Sequence, residues 1–171
     1  MARHRGPLLV DTNIILECWR VGAWRALTGG YAVETVEDCV TETQTGFQRR
    51  REEQQIDVTA LRASLAKPAH LVTEHELAAA LLKAPDIYLD VGERSLWAHA
   101  LTRTDAWVLC GPDRASLRYG IRAGCRERIV SLEALLDDIG YSVKGGLKHH
   151  FTAHWLSAIL SELVVHEEKR S

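Results

Sequence analysis

Four carboxylates fall where acidic side chains can do chemistry. Asp11 follows the apolar run Leu8-Leu9-Val10, and Asp113 lies just past the clearest such run, Ala106-Trp107-Val108-Leu109-Cys110. Glu93 stands at the start of a helix after a third apolar segment. Glu42 lies about one and a half turns into the helix after the second predicted strand. Ligands collect beyond the carboxyl ends of the strands of an open parallel sheet, so these acids could meet at one end of it. Converging carboxylates repel one another unless a cation neutralises them or some are protonated. Oxygen-only donors suit Mg²⁺ or Mn²⁺ and not Zn²⁺. A site of that kind lowers the pKa of bound water and stabilises the charge that builds on an attacked phosphodiester. The competing reading is that the acids are helix caps, for which Asp11 and Glu93 are well placed.

The elements that must position them alternate between short apolar runs and helical periodicity. Leu8–Val10 reads as a strand, followed by a helix that carries Ile14, Ile15, Cys18, Trp19 and Val21, is capped by Asp11 or Thr12, and is stopped by Gly29-Gly30. Tyr31–Val33 is predicted as a second strand, Thr35–Arg51 as a helix ending in Arg49-Arg50-Arg51, and Val58–Lys67 as another, closed by Pro68. Leu71-Val72 suggests a brief strand, and Thr73-Glu74-His75-Glu76 a capping box opening the helix Leu77–Lys83. Ile87–Leu89 is a further apolar segment, leading to Asp90-Val91-Gly92-Glu93 and a helix. Beyond Ala106–Cys110 come a helix to Gly124, a short strand Arg128–Val130 and the helix Leu132–Ile139. This alternation predicts a three-layer α/β/α fold around a short parallel sheet in residues 1–140. Residues 141–171 form a C-terminal helical extension, with Trp155, Leu156, Ile159, Leu160, Leu163 and Val164 on one face for a dimer or partner contact.

Composition narrows the function classes. The chain has 171 residues, 46% hydrophobic and 26% charged, with a formal net charge of −2. That allows one domain of ordinary size and argues against a disordered, collagen-like or coiled-coil chain. A signal peptide and a membrane span are not expected, since no apolar run approaches the ~20 residues a span needs. Cys18, Cys39, Cys110 and Cys125 show no CxxC pairing, which points to a reduced, cytoplasmic protein. Near-zero net charge means that a nucleic-acid partner would need a local basic face.

The ordered set of acidic segments resembles the PIN-domain ribonucleases. Leu8–Leu16 is similar to their opening strand, Thr35–Glu42 to their second-helix segment ending in a glutamate, Leu89–Glu93 to a D-x-G-E form of the third acidic position, and Val108–Arg114 to the strand and acid of the fourth. The resemblance covers roughly residues 7–135. It implies a PIN-like fold and a metal-dependent endoribonuclease similar to the VapC-like toxins of toxin–antitoxin pairs. Asp11, Glu42, Glu93 and Asp113 would hold one or two Mg²⁺ or Mn²⁺ ions, and water activated there would cleave single-stranded RNA. Asn13, Asp90 and Ser116 would support these acids from behind. A homodimer and an inhibitory antitoxin protein are the implied partners, with no membrane. The chain departs from the family pattern at Gly111-Pro112, where Thr or Ser often precedes the fourth acid, and Ser116 is the sole candidate for a polar follower. The alternative is therefore a catalytically weak or inactive PIN-fold RNA-binding or assembly module. A phosphatase-like enzyme would want D-x-D, and Asp11-Thr12-Asn13 has Asn at its second position.

Among the remaining signals, Arg114, Arg118 and Arg122 recur every four residues, an RNA-phosphate stripe or a solvated helix face. Arg49-Arg50-Arg51 offers the same choice. His149, His150 and His154 lack a cysteine to complete a zinc set and read as exposed. Trp155 is a candidate protein–protein anchor. Trp19, Trp24, Trp97 and Trp107, with Cys39 and Cys110, read as core or interface residues.

Overall fold

The chain is described by a computed structural model over residues 3–45 and 55–171. In chain order the elements are β1 (Pro7–Val10), α1 (Thr12–Arg20), α2 (Trp24–Gly30), β2 (Ala32–Glu34), α3 (Glu37–Thr43), α4 (Val58–Ser64), α5 (Glu74–Lys83), α6 (Val91–Leu101), β3 (Val108–Cys110), α7 (Arg114–Arg122), α8 (Leu132–Asp138) and α9 (Ala153–Glu168). Tight 3-10 turns at Arg126–Arg128 and His149–Phe151 join the last helices.

Leu8, Leu9 and Val10 are all fully buried, which puts β1 in the middle of the sheet. The order is β2-β1-β3, parallel throughout, with Leu8 opposite both Val33 and Val108, and Val10 opposite Cys110. Strand alternation sends Leu8 and Val10 into one core with Ile14, Ile15, Leu27, Leu61 and Leu135. Leu9 goes to the other face, with Leu96, Trp97, Leu117, Leu160 and Leu163. Both faces of the sheet are thus covered by helices, an α/β arrangement.

Several predicted elements are shorter or absent. The sheet has three strands among the described residues, and the other apolar runs make at most a single bridge. Leu71 is 76% exposed, and His70 alone bridges to Val36. Ile87 and Leu89 are buried in the second core through a turn, with Ile87 N–H bonding Ala84 O at 3.1 Å. Arg128–Val130 is reduced to a single bridge, Ile129 to Leu109. The long first helix is two: α1 ends at Arg20, and Gly22, at φ +72°, turns the chain into α2. α3 starts at Glu37 and not at Thr35, because Thr35 and Glu37 exchange backbone hydrogen bonds with His70 and hold Val36 extended. Arg49-Arg50-Arg51 lie outside the described residues. α5 begins where the capping box placed it, with Glu76 N–H on Thr73 Oγ1 at 3.2 Å.

The extension after Gly140 is built into both cores. Phe151 joins the first, Leu160 and Leu163 the second, and α9 lies along α7. No helix among the described residues is long and apolar enough to cross a membrane.

Candidate functional site

The carboxyl ends of β1 and β3 finish side by side, tied by Asp11 N–H to Cys110 O at 3.2 Å. Each chain then turns directly into a helix capped by its own aspartate. Asp11 Oδ1 accepts from Ile14 N–H at 3.0 Å, and Asp113 Oδ1 accepts from Ala115 and Ser116 N–H at 2.8 and 3.1 Å. Capping and convergence therefore coexist: the geometry that makes these residues caps also brings them together. Gly111 lets them approach, since a Cβ there would sit 2.8 Å from Asp11 Oδ2.

Glu93 occupies the first turn of α6, with Oε2 on Asp90 N–H at 3.4 Å. Glu42 reaches across from α3. Its Oε1 accepts from Gly92 N–H at 2.9 Å and its Oε2 from Thr12 Oγ1 at 2.6 Å. A Cβ on Gly92 would fall 2.6 Å from Glu42 Oε2, so only glycine fits beneath that carboxylate. The N-terminal turns of α1, α6 and α7 thus surround the acids, and their oriented N–H groups offset part of the negative charge.

They do not offset all of it. Asp11 is 3% exposed, and its Oδ2 is buried without a hydrogen-bond partner. Burial pushes its carboxyl up to about 7, against the Ile14 and Asn13 backbone N–H groups, with the charges of Asp113 and Glu42 adding to the rise. Burial lifts Glu93 to about 8, aided by Asp113 and Asp11. Asp11, Glu93 and Asp113 therefore share one electrostatic site, with Glu42 at its flank, and near neutral pH the cluster retains protons.

A cation would replace those protons. The orphaned Asp11 Oδ2 and the oxygen-only donor set suit a hard divalent ion. As the side chains stand, no group of three or more His, Cys, Asp or Glu among the described residues is arranged to hold a metal. Ligation thus needs side-chain movement, and Glu42, held at both oxygens, has the least freedom to contribute.

The supporting residues take roles other than those expected. Asn13 acts on Asp11 through its backbone N–H, while its side chain is exposed. Asp90 is exposed and contributes its backbone N–H to Glu93. Ser116 donates its backbone N–H to Asp113, the cap of α7, and its hydroxyl accepts from Trp97 Nε1 at 2.8 Å, inside the core. Thr12, Gly92 and Gly111 carry structural roles that spacing did not reveal. Their signal was present in the D-T-N and G-E pairs, but a hydroxyl bond across α1 and α3 is not readable from one segment.

The three arginines are engaged within the chain. Arg114 pairs with Glu162, Arg118 with Glu167 at 2.6 Å, and Arg122 with both Glu167 at 2.7 Å and Asp86 at 2.6 Å. Burial raises the Cys39 thiol to about 12 and the Cys110 thiol well above its ordinary value, so neither is a nucleophile at neutral pH. Trp155 is half-buried and packs on its own chain against the second core.

Comparison with known proteins found no matching family model, no similar curated protein and no similar solved structure.

Proposed function

We propose that the chain is a metal-dependent endoribonuclease of the PIN-like kind, with Asp11, Glu93 and Asp113 holding Mg²⁺ or Mn²⁺ and Glu42 fixing the site's flank. The observation that carries this reading is the buried, unpartnered Oδ2 of Asp11, a carboxyl that burial and the charges of Asp113 and Glu42 push up. Such crowding raises the energy of the free protein and is relieved by a bound cation, a pattern typical of functional sites. When bound, the ion would supply Lewis acidity toward a phosphodiester and lower the pKa of water. The chain's own part is to hold Asp11 and Asp113 rigidly by helix-cap hydrogen bonds and to fix Glu42 between Gly92 and Thr12. Gly111 packs against the Asp11 carboxyl, and Cys110 beside it is buried.

The test is a Mn²⁺ titration by calorimetry of the wild type and Asp11→Asn, followed by incubation of each with labelled single-stranded RNA. Binding and cleavage present in the wild type and lost in Asp11→Asn are the expected result. The toxin role extends the same reading: expression of the wild type should arrest bacterial growth and Asp11→Asn should not. A second reading, a non-cleaving RNA-binding or assembly module, draws on the ungrouped donors and would be the outcome if neither protein binds Mn²⁺.

A further inference from the structure

With Arg114, Arg118 and Arg122 committed to carboxylates of α9 and to Asp86, cations for an RNA backbone must come from elsewhere near the acids. A groove of about 220 Å³ runs along α1, lined by Asn13, Leu16, Glu17 and Arg20 and by Lys148 and His150 from the turn that leads into α9. Asn13 ties it to the acidic site, because its backbone N–H acts on the Asp11 carboxylate. His150 ties it from the other side. It borders a smaller cavity together with Gly111 and Pro112, and Gly111 packs against Asp11 Oδ2.

The groove is built, not incidental. Buried Glu17 organises it from below, taking Arg20 through two bonds, one of 2.9 Å from Nη2, and accepting the Lys148 backbone N–H at 2.8 Å. No hydrogen bond among the described residues engages Arg20 Nη1, which can donate to another acceptor. Among the described residues no ion pair engages the Lys148 ammonium group, so Arg20 and Lys148 together outweigh Glu17 by one positive charge. The exposed His150 ring is tilted against buried Phe151 at 4.3 Å between centroids and meets Trp155 edge-on at 6.3 Å, which holds it at the groove's rim.

We propose that this groove is a phosphate subsite for single-stranded RNA, in which Arg20, Lys148 and His150 seat a backbone phosphate neighbouring the one presented to the carboxylates. The proposal rests on the nuclease reading and adds where the flanking strand lies. A mixed site of this sort suits a phosphodiester: cationic donors neutralise it, Asn13 offers an amide, and Leu16 is apolar beneath the sugar. It also assigns the extension after Gly140 a task at the site.

The experiment compares the wild-type full chain with the Lys148→Ala/His150→Ala double variant, both of whose side chains are exposed. Binding of a short fluorescein-labelled oligouridylate is followed by anisotropy with chelator present, across a salt series. Cleavage of the same oligomer is then followed with Mn²⁺. The variant is expected to bind about tenfold more weakly, with a salt slope shallower by about 0.7 for the lysine contact. In cleavage KM should rise while kcat stays near wild type. Equal affinity and equal slope in the two proteins would overturn the subsite and leave the nuclease reading intact if cleavage persists. Weakened binding by the variant, with no cleavage by the wild type, would keep the subsite and overturn the nuclease. Displacement of the oligomer by inorganic phosphate as readily as by unlabelled oligouridylate would assign the groove to a free anion and overturn the RNA subsite.

Discussion

α7 joins two clusters of charge that behave in opposite ways. At its N-terminus Asp113 meets Asp11 and Glu93 with no cation among them, and burial holds Asp11 and Glu93 above their ordinary carboxylate range. Along its side, Arg114, Arg118 and Arg122 face Glu162, Glu167 and Asp86. There the guanidinium groups lower the carboxylates: Arg122 lowers Asp86, Arg114 lowers Glu162, and on Glu167 Arg118 and Arg122 outweigh a contrary effect of burial. With Arg170 also on Asp86, the second cluster sets four guanidinium groups against three carboxylates and is partly solvated, so each pair adds little beyond fixing α9 in place. In the first, Asp11 Oδ2 has no hydrogen-bond partner among the described residues, and it is there that the proposed cation would act.

The largest effect expected from this contrast is on Asp11. Asp11→Asn should lower RNA cleavage by at least about a hundredfold, since Lewis-acid stabilisation is worth several kcal/mol of barrier. The same change should raise the melting temperature of the metal-free protein at neutral pH, because it removes a buried charge from a crowded site. A variant that instead melts lower while binding Mn²⁺ as before would mark Asp11 as a plain helix cap.

The two clusters should also part company with pH. Folding raises the affinity of Asp11 and Glu93 for protons, so the folded state holds more protons than the unfolded one between about pH 4 and pH 8. Their contribution is therefore present at low pH and lost as pH rises through about 7 and 8, of the order of 2–4 kcal/mol for Asp11. For Glu167, Asp86 and Glu162 the shift is downward, and their contribution is present at neutral pH and lost as pH falls through the acidic range. Melting curves with chelator should fall from pH 5 to pH 8, and added Mn²⁺ should restore most at the alkaline end. A flat profile would remove the stored repulsion from the site.

Gly111→Ala tests the close approach at a smaller cost. Its Cβ would press on Asp11 Oδ2 and Cγ at 2.8 and 3.1 Å, and about 1–3 kcal/mol of destabilisation with weaker Mn²⁺ binding is expected by denaturant titration and calorimetry. Smallest of all, Glu167→Gln should cost about 1 kcal/mol or less at low salt and still less at high salt, with the cleavage rate at the wild-type level. A large loss of activity there would make the arginine cluster part of the functional site and erase the contrast.

Much of this was legible in the chain. Leu8-Leu9-Val10 running straight into Asp11, and Val108-Leu109-Cys110 running through Gly111-Pro112 into Asp113, mark buried parallel strands that lead into capped helices. The Thr73–Glu76 box and the apolar face of the last helix were read in the same way, because caps and helical faces are local physics. The apolar stretches at Leu71, Ile87 and Ile129 could not be sorted by the same means. A short run packs equally well as a strand, a turn or a bridge, and only the neighbours decide.

At the site, sequence determined which side chains are acids and that Asp11, Glu93 and Asp113 each open a helix while Glu42 lies further along one. Tertiary structure alone decided that Asp11 Oδ2 is left without a partner, that Glu42 is pinned by Thr12 and Gly92, and that Lys148 and His150 return to the rim of α1. It alone turned the arginine stripe toward Glu162 and Glu167, about fifty positions further along the chain. Caps and amphipathic faces depend on residues three or four apart, so the chain spells them out. Desolvation and charge pairing depend on which distant segments share a few ångströms, and no linear spacing encodes that.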